Sequence, residues 1–551
     1  MRCARKGAVL AAAIATAGLA CSAPERGPRW QGAGATTPRP GGTLRVATLD
    51  GVVTLDPAIA YDEFSFYALI ALFDRLVDYA PGSTELVPRL AARWTVSADA
   101  TEYRFWLRPG ITYADGRPIV AADFVYALER ALTTPASPFG PLLADVHGAP
   151  AVLAGTTAHA AGLVAVGDHE LVIRLTRPNV AFLAVLAMPF ATPQRADHVA
   201  AAGPDLRRRP LASGPFVLER WDEGERLVLA KNPRYHDAAR VHLDRVVSHE
   251  RRPADTQFLM FEAGELDASQ LAPPDYLWIK AQPAWAPYLE EAPMLFSAGS
   301  RFNVRRPPFD DRRVRQAFNY ALDKAHVVKV MQGRAIASHG MLPPGVLGRD
   351  DQLAPYPHDP ARARALLAEA GYPHGLDVEY LTPRDEQLDR LALTLQADLA
   401  EAGIRVTLRP TALGSLFAEV GRPDGAALSW TSWQADFGDP AAFLDARFHS
   451  RAIADEASPN DSFYASPALD AVLDRARAER DPVRRAAAYR EADRILHDDA
   501  PWLWGYHPIN TGVVQPYVRG LAFHPVWIRV YADAWLDVGP DGRPLPARGP
   551  R

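Results

Sequence analysis

Thiols are nearly absent from this 551-residue chain, which has two cysteines, Cys3 and Cys21. Cys3 falls in the N-terminal segment described below, so one thiol remains after export. No disulfide then forms within the mature chain, although an oxidising compartment would permit one. A dominant positive charge is absent too. Sixty Lys and Arg against 65 Asp and Glu give a formal charge of −5, which excludes the basic face a nucleic-acid partner requires. Long apolar runs are scarce. Beyond residue 22 the one strongly apolar stretch is Val180 to Phe190, about half the ~20 residues of a spanning helix, and it predicts a buried helix. Catalytic and nucleotide signatures are missing as well: there is no G-x-x-x-x-G-K-S/T, no H-E-x-x-H and no G-x-S-x-G. His236, His242, His339, His358 and His374 are scattered rather than clustered at ligand spacing. No metal, no cofactor and no enzyme activity is expected.

What is present begins at residue 1. Arg2, Arg5 and Lys6 precede an apolar run from Ala8 to Ala20, so residues 1–20 read as a secretory signal peptide. Losing those three positive charges takes the net charge from −5 to about −8. Cys21 follows Gly18-Leu19-Ala20 and resembles the lipidated cysteine of a bacterial lipobox, with Gly18 standing where such motifs carry Leu. An ordinary signal peptide is the alternative, and either reading puts the protein outside the cytoplasm. The multiple acyl chains of a lipoprotein anchor stably, so the expected localisation is the cell envelope, periplasmic, with contact to the membrane through the lipid alone. Residues 21–41 are rich in Pro, Gly, Ala and Thr and predict a flexible tether from Cys21. Gly32 and Gly34 lie in that tether, with no strand or helix around them, and are not a nucleotide loop.

The body is long enough for two or three lobes. A short strand at TLRVATL and a helix over Asp62–Val77 open it. Alternating Thr101–Leu107 predicts a strand, Ala121–Leu132 a helix, and Glu170–Leu175 and Arg226–Ala230 further strands. Arg207-Arg208-Arg209 reads as a solvated loop. In the second half Asp310–Met331 predicts one helix. Asp359 and Pro360 then start a helix that Gly371 closes. Strands at Leu376–Thr382, Ile404–Arg409 and Ala426–Trp433 alternate with helices at Glu386–Ala402 and Ala412–Val420. That alternation indicates an α/β lobe with a mainly parallel sheet.

The candidate site falls where the strand Ala426–Trp433 should end, because open α/β sheets bind ligands beyond the carboxyl ends of their strands. Trp430, Trp433, Gln434, Ala435 and Asp436 stand at that edge, giving apolar walls with a few polar groups. A carboxylate inside a closing site attracts an ammonium strongly, because closure lowers the local dielectric. Asp439, before Pro440, reads as a helix cap.

Four tracts in order carry a family likeness: GGTLRVATLDGVVTLDPA from Gly41, ELVPRLAARWTVSADATEYRFWLRPGITYADGRPIVAADFVYALERAL at 85–132, SGPFVLERWDEGERLVLAKNPRYH at 213–236 and FNVRRPPFDDRRVRQAFNYALDKAHVV at 302–328. Together they resemble the family 5 extracellular solute-binding proteins, the dipeptide- and oligopeptide-binding subunits of ABC importers, from about Gly41 to Leu521. The resemblance implies an α/β, two-lobed periplasmic-binding-protein clamp of the large, cluster C type. It also implies an N-terminal lobe over 42–297 with an extra subdomain at 82–205, a C-terminal lobe over 298–506 and a return at 507–551. The implied partners are a peptide or peptide-like ligand and an ABC permease with separate ATPase subunits, the protein itself being a monomer. By the same resemblance Asp436 receives the ligand's α-amino group, with Trp433, Gln434 and Ala435 lining the cleft. Trp430 stands where some oligopeptide binders carry an Arg for a ligand carboxylate, which leaves the cargo open. A nickel chelate, haem, an opine or a sugar is the alternative, and an envelope hydrolase or a signalling lipoprotein a remoter one.

Overall fold

The computed structural model describes residues 27–547. The signal peptide and Cys21 lie outside the described residues. Two lobes and a subdomain are built from three main sheets. In the N-terminal lobe Thr43–Ala47 pairs in parallel with Arg245–His249, and Arg226–Lys231 and Phe216–Asp222 continue the sheet antiparallel. Within the subdomain Ala91–Val96, Glu102–Leu107, Glu170–Arg174 and Leu163–Val166 form a four-stranded antiparallel sheet. Phe105, Phe124, Phe182 and Phe190 fill the core beside it, none of them exposed.

The third sheet has eight strands, and it corrects the expectation of a mainly parallel arrangement. Leu376–Pro383 has Ile404–Thr411 on one side and Leu428–Gln434 on the other, both parallel to it. Phe296–Phe302, however, is antiparallel both to Leu428–Gln434 and to the thirteen-residue strand Trp502–Val514. That last strand joins the lobes. Its first half pairs with Phe296–Phe302 and Ala335–Ala337, and its second half with Leu289–Pro293 and Ala268–Gln270. Crossing strands have no local helix to impose parallel pairing, so the mixed sheet follows from the chain's passage between lobes.

Three local readings also change. The helix after Asp62 stops at Leu72 because Ser213 and Gly214 donate their backbone N–H groups to the Leu72 carbonyl. A Cβ at Gly214 would lie 2.7 Å from the Phe73 nitrogen, so only glycine allows that approach. The 310–331 stretch is two helices, Arg312–Ala321 and Lys324–Val330, and Asp323 caps the second by accepting from the Ala325 N–H. The run Val180–Phe190 is buried as expected, yet its α-helix covers only Phe182–Val185 before Pro189 starts a 3₁₀ turn. Among the described residues no helix is long and apolar enough to cross a membrane.

Candidate ligand-binding site

Strand Leu428–Gln434 is held along its length by Phe296–Phe302, with Ser300 opposite Trp430 and Ser297 opposite Trp433. Side chains alternate across a strand, so two tryptophans three residues apart take opposite faces. Trp430 packs against the C-terminal lobe's own core and is not among the residues that line the cavity described below. This corrects its expected place in the cleft. Trp433 takes the cavity face, donates its indole N–H to the Ala442 carbonyl at 2.6 Å and lies 4.9 Å under the Arg447 guanidinium. It thereby ties the strand exit to helix Ala441–Phe448 and fixes the loop between them. Gln434 is exposed. Ala435 donates its N–H to Leu295 at 2.9 Å and packs among apolar side chains. Neither lines the cavity.

Asp436 comes next and is half-buried. Its Oδ1 accepts the Tyr61 hydroxyl at 2.7 Å, across the gap from the N-terminal lobe. Burial pushes its carboxyl up to about 6, partly offset by the Tyr61 hydrogen bond. The same contact and burial raise the Tyr61 phenol well above its ordinary range. Phe437 is buried with the subdomain core, and the Gly438 N–H donates to the Tyr79 hydroxyl at 2.8 Å. A Cβ at Gly438 would come within 3.0 Å of Thr84 and Val526, so the loop sits flush against the other lobe. Asp439 takes both Arg485 terminal nitrogens at 2.7 Å, and the pair is buried. Its Oδ1 also accepts the Ala441 N–H at 2.9 Å, the capping expected of it.

Beside the Asp436 carboxylate is a cavity of about 460 Å³, a size that suits a small ligand. Pro138, Pro141, Leu142, Val185 and Phe437 give it apolar walls. Its charged groups are Asp436, Asp145, Asp445, Arg177, Arg451 and Arg477. Of the residues singled out in the sequence, Asp436 and Trp433 line this cavity; Tyr61 and the arginines beside them come from distant elements and carry no local motif. A second cavity, about 500 Å³, lies under the N-terminal strand near Trp30 and Phe261 and shares no lining residue with the first. It is remote from the strand exit. Among the described residues no cluster of His, Cys, Asp or Glu is placed to hold a metal ion.

A family description, bacterial extracellular solute-binding proteins, family 5 Middle, matches residues 85–455. Di/tripeptide-binding protein 2 of Pseudomonas aeruginosa is 30% identical over 517 residues, covering 90% of this chain and 95% of that protein. Heme-binding protein A of Haemophilus influenzae is 29% identical over 522 residues, 91% of this chain and 93% of that protein. The structure of the ABC transporter-associated periplasmic binding protein DppA from Helicobacter pylori, in complex with a peptide, matches with a TM-score of 0.76 at 25% identity. It covers 91% of this chain and 99% of that one. The chain belongs to the family 5 bacterial extracellular solute-binding proteins.

Proposed function

We propose that this chain is the solute-binding component of an ABC importer. It captures a short peptide or peptide-like ligand through its cationic amine and presents the closed clamp to a permease served by separate ATPase subunits. One observation carries the reading. Asp436 is a carboxylate without a cationic partner among the described residues, held by Tyr61 at the mouth of a cavity sized for a small ligand. An ammonium there would gain a charge-assisted hydrogen bond in a site of low dielectric.

Peptide is favoured over haem by the cavity's lining. It contains no His, Cys or Met to ligate iron, and its one tyrosine, Tyr61, already donates to Asp436. Ligand contact with both lobes shifts the population toward the closed state, with strand Trp502–Val514 and its partners bending between lobes in the manner of hinge closure. The N-terminal segment supports export and Cys21 lipid anchoring, with the body working as a periplasmic monomer. The tether is shorter than the expected 21–41, because Trp30–Gln31 pairs with Leu545–Pro546 and the Gly34 and Ala35 N–H groups donate to Asp537.

Native mass spectrometry of the purified protein should show a bound peptide-sized amine. In calorimetric titration with that amine, Asp436→Ala should lose about 3–5 kcal/mol, roughly a hundredfold or more in affinity. Unchanged affinity in the variant overturns the reading.

A further inference from the structure

The cavity's charged groups other than Asp436 are committed to one another. Asp145 serves Arg177, whose Nε approaches at 2.5 Å, and Arg477, whose Nη2 bonds its second oxygen. Arg451 divides its terminal nitrogens between Asp445 at 2.6 Å and Asp474 at 2.9 Å. Three guanidiniums thus meet three carboxylates, and their charges cancel. Among the described residues Asp436 is left as the lining charge with no counterion, and the surface next to it is apolar.

That surface is built by the segment from Pro138 to Leu142. Phe139 is its root. It is fully buried, stacks on Phe190 at 4.5 Å and sits edge-to-face with the Tyr61 ring, centroids 5.8 Å apart. Tyr61 in turn donates to Asp436, so this root and the carboxylate share a neighbour. Pro138, Pro141 and Leu142 flank the root and reach the cavity, and none of the three is buried. The proline rings fix their own φ, and the Leu142 N–H donates to the Phe139 carbonyl at 3.0 Å, so the wall is preformed. On the C-terminal lobe's side Phe437, next to Asp436 in the chain, and Ala441 line the cavity. None of these side chains carries a hydrogen-bonding group.

Resting on the reading of Asp436 as the amine receptor, we infer that the ligand residue bearing the amine has a bulky apolar side chain, seated on Pro138, Pro141 and Leu142. In an α-amino acid that side chain starts two bonds from the nitrogen, so an ammonium held at Asp436 delivers it to the surface around that carboxylate. Each methylene buried strengthens binding about fourfold. Leucine's three extra carbons over alanine are therefore worth about tenfold even when half of that is realised. A lysine side chain loses hydration against the same wall and finds no unpaired carboxylate there.

The test is calorimetric titration of the full chain with leucylalanine, alanylalanine and lysylalanine. The wild type, Leu142→Ala, Leu142→Glu and Asp436→Asn are compared, and melting temperatures show that each variant is folded. The wild type should bind leucylalanine about tenfold more tightly, or better, than either other probe. Leu142→Ala should cut the preference over alanylalanine to a few-fold and leave the affinity for alanylalanine unchanged, which a merely structural loss would not do. Leu142→Glu should bring lysylalanine level with leucylalanine by giving the wall a negative charge. Asp436→Asn should weaken all three probes and keep their order. A wild type that falls short of that margin overturns the inference, as does a Leu142→Ala variant that keeps the full preference or weakens all three probes alike. If the probes bind through Asp436 without preference, the inference alone falls. If none binds the wild type, the amine reading falls and the inference with it.

Discussion

Asp436 and Asp439 stand three residues apart in one loop, share a strand exit, and have opposite environments. Asp439 is buried with Arg485 in a two-pronged ion pair and caps the following helix. Among the described residues Asp436 has no cation, only the Tyr61 hydroxyl, and burial raises its carboxyl to about 6. A charge that is already neutralised holds a fold together. A charge left unneutralised at a cavity mouth is held ready for a partner that is not part of the chain.

The widest separation between the two should appear in stability. Asp439→Ala strands the Arg485 guanidinium in a buried site, and we expect a loss of about 3–5 kcal/mol in denaturant unfolding. Asp436→Ala should lose no stability and above pH 6 should gain some, because it removes a carboxyl whose charged form burial disfavours. Equal losses would erase the distinction drawn between them. A smaller effect separates them by pH. The Asp436 carboxyl titrates near 6 when folded, above its ordinary value, so the folded chain holds this proton more tightly than the unfolded one. Between about pH 4 and 6 its contribution to stability therefore falls as pH rises, with a limiting slope of about 1.4 kcal/mol per pH unit. Asp436→Asn should remove that component from the unligated protein's stability profile, and profiles that superimpose would contradict it.

Ligand binding reads the same proton. At pH 6 an arriving ammonium displaces roughly half a proton from Asp436, so the binding enthalpy should vary with the buffer's ionisation heat. Near pH 7 the dependence should vanish, and by pH 8 it should reverse sign, because the ligand's α-amino group, with a pKa of about 8, then takes up a proton on binding. Smallest of all is Tyr61→Phe. It removes one hydrogen bond worth about 1 kcal/mol and moves the Asp436 carboxyl further up, so affinity at pH 6 should fall a few-fold and recover at pH 8. An effect as large as that of Asp436→Ala would make Tyr61, not Asp436, the principal anchor.

The strand exit at Gln434 was readable because its cues are local: β-favouring residues before it, a Gly-Asp-Pro turn after it. The helix start at Asp359 is local in the same way, its side chain accepting the Arg362 N–H in the first turn. What escaped was long-range. The choice of Phe296–Phe302 as an antiparallel neighbour is made by a strand arriving from the other lobe. The split at Asp323 sets a cap against an otherwise continuous helical pattern. Tyr61 and Arg177 reach the cavity from loops whose sequences contain no binding motif, and Trp430 is turned away by strand alternation once the register is fixed. Local cues therefore reach one wall of the cavity, at the strand exit, and not the wall opposite.

The central claim is that Asp436 meets a ligand ammonium, and the most direct measurement is a two-by-two comparison of affinities. Alanylleucine and its N-acetyl derivative are titrated into the wild type and into Asp436→Ala. Acetylation should cost the wild type roughly a hundredfold or more and cost the variant little, because the charge it removes no longer has a partner. Equal penalties in the two proteins would show that the amine is read elsewhere and contradict the account.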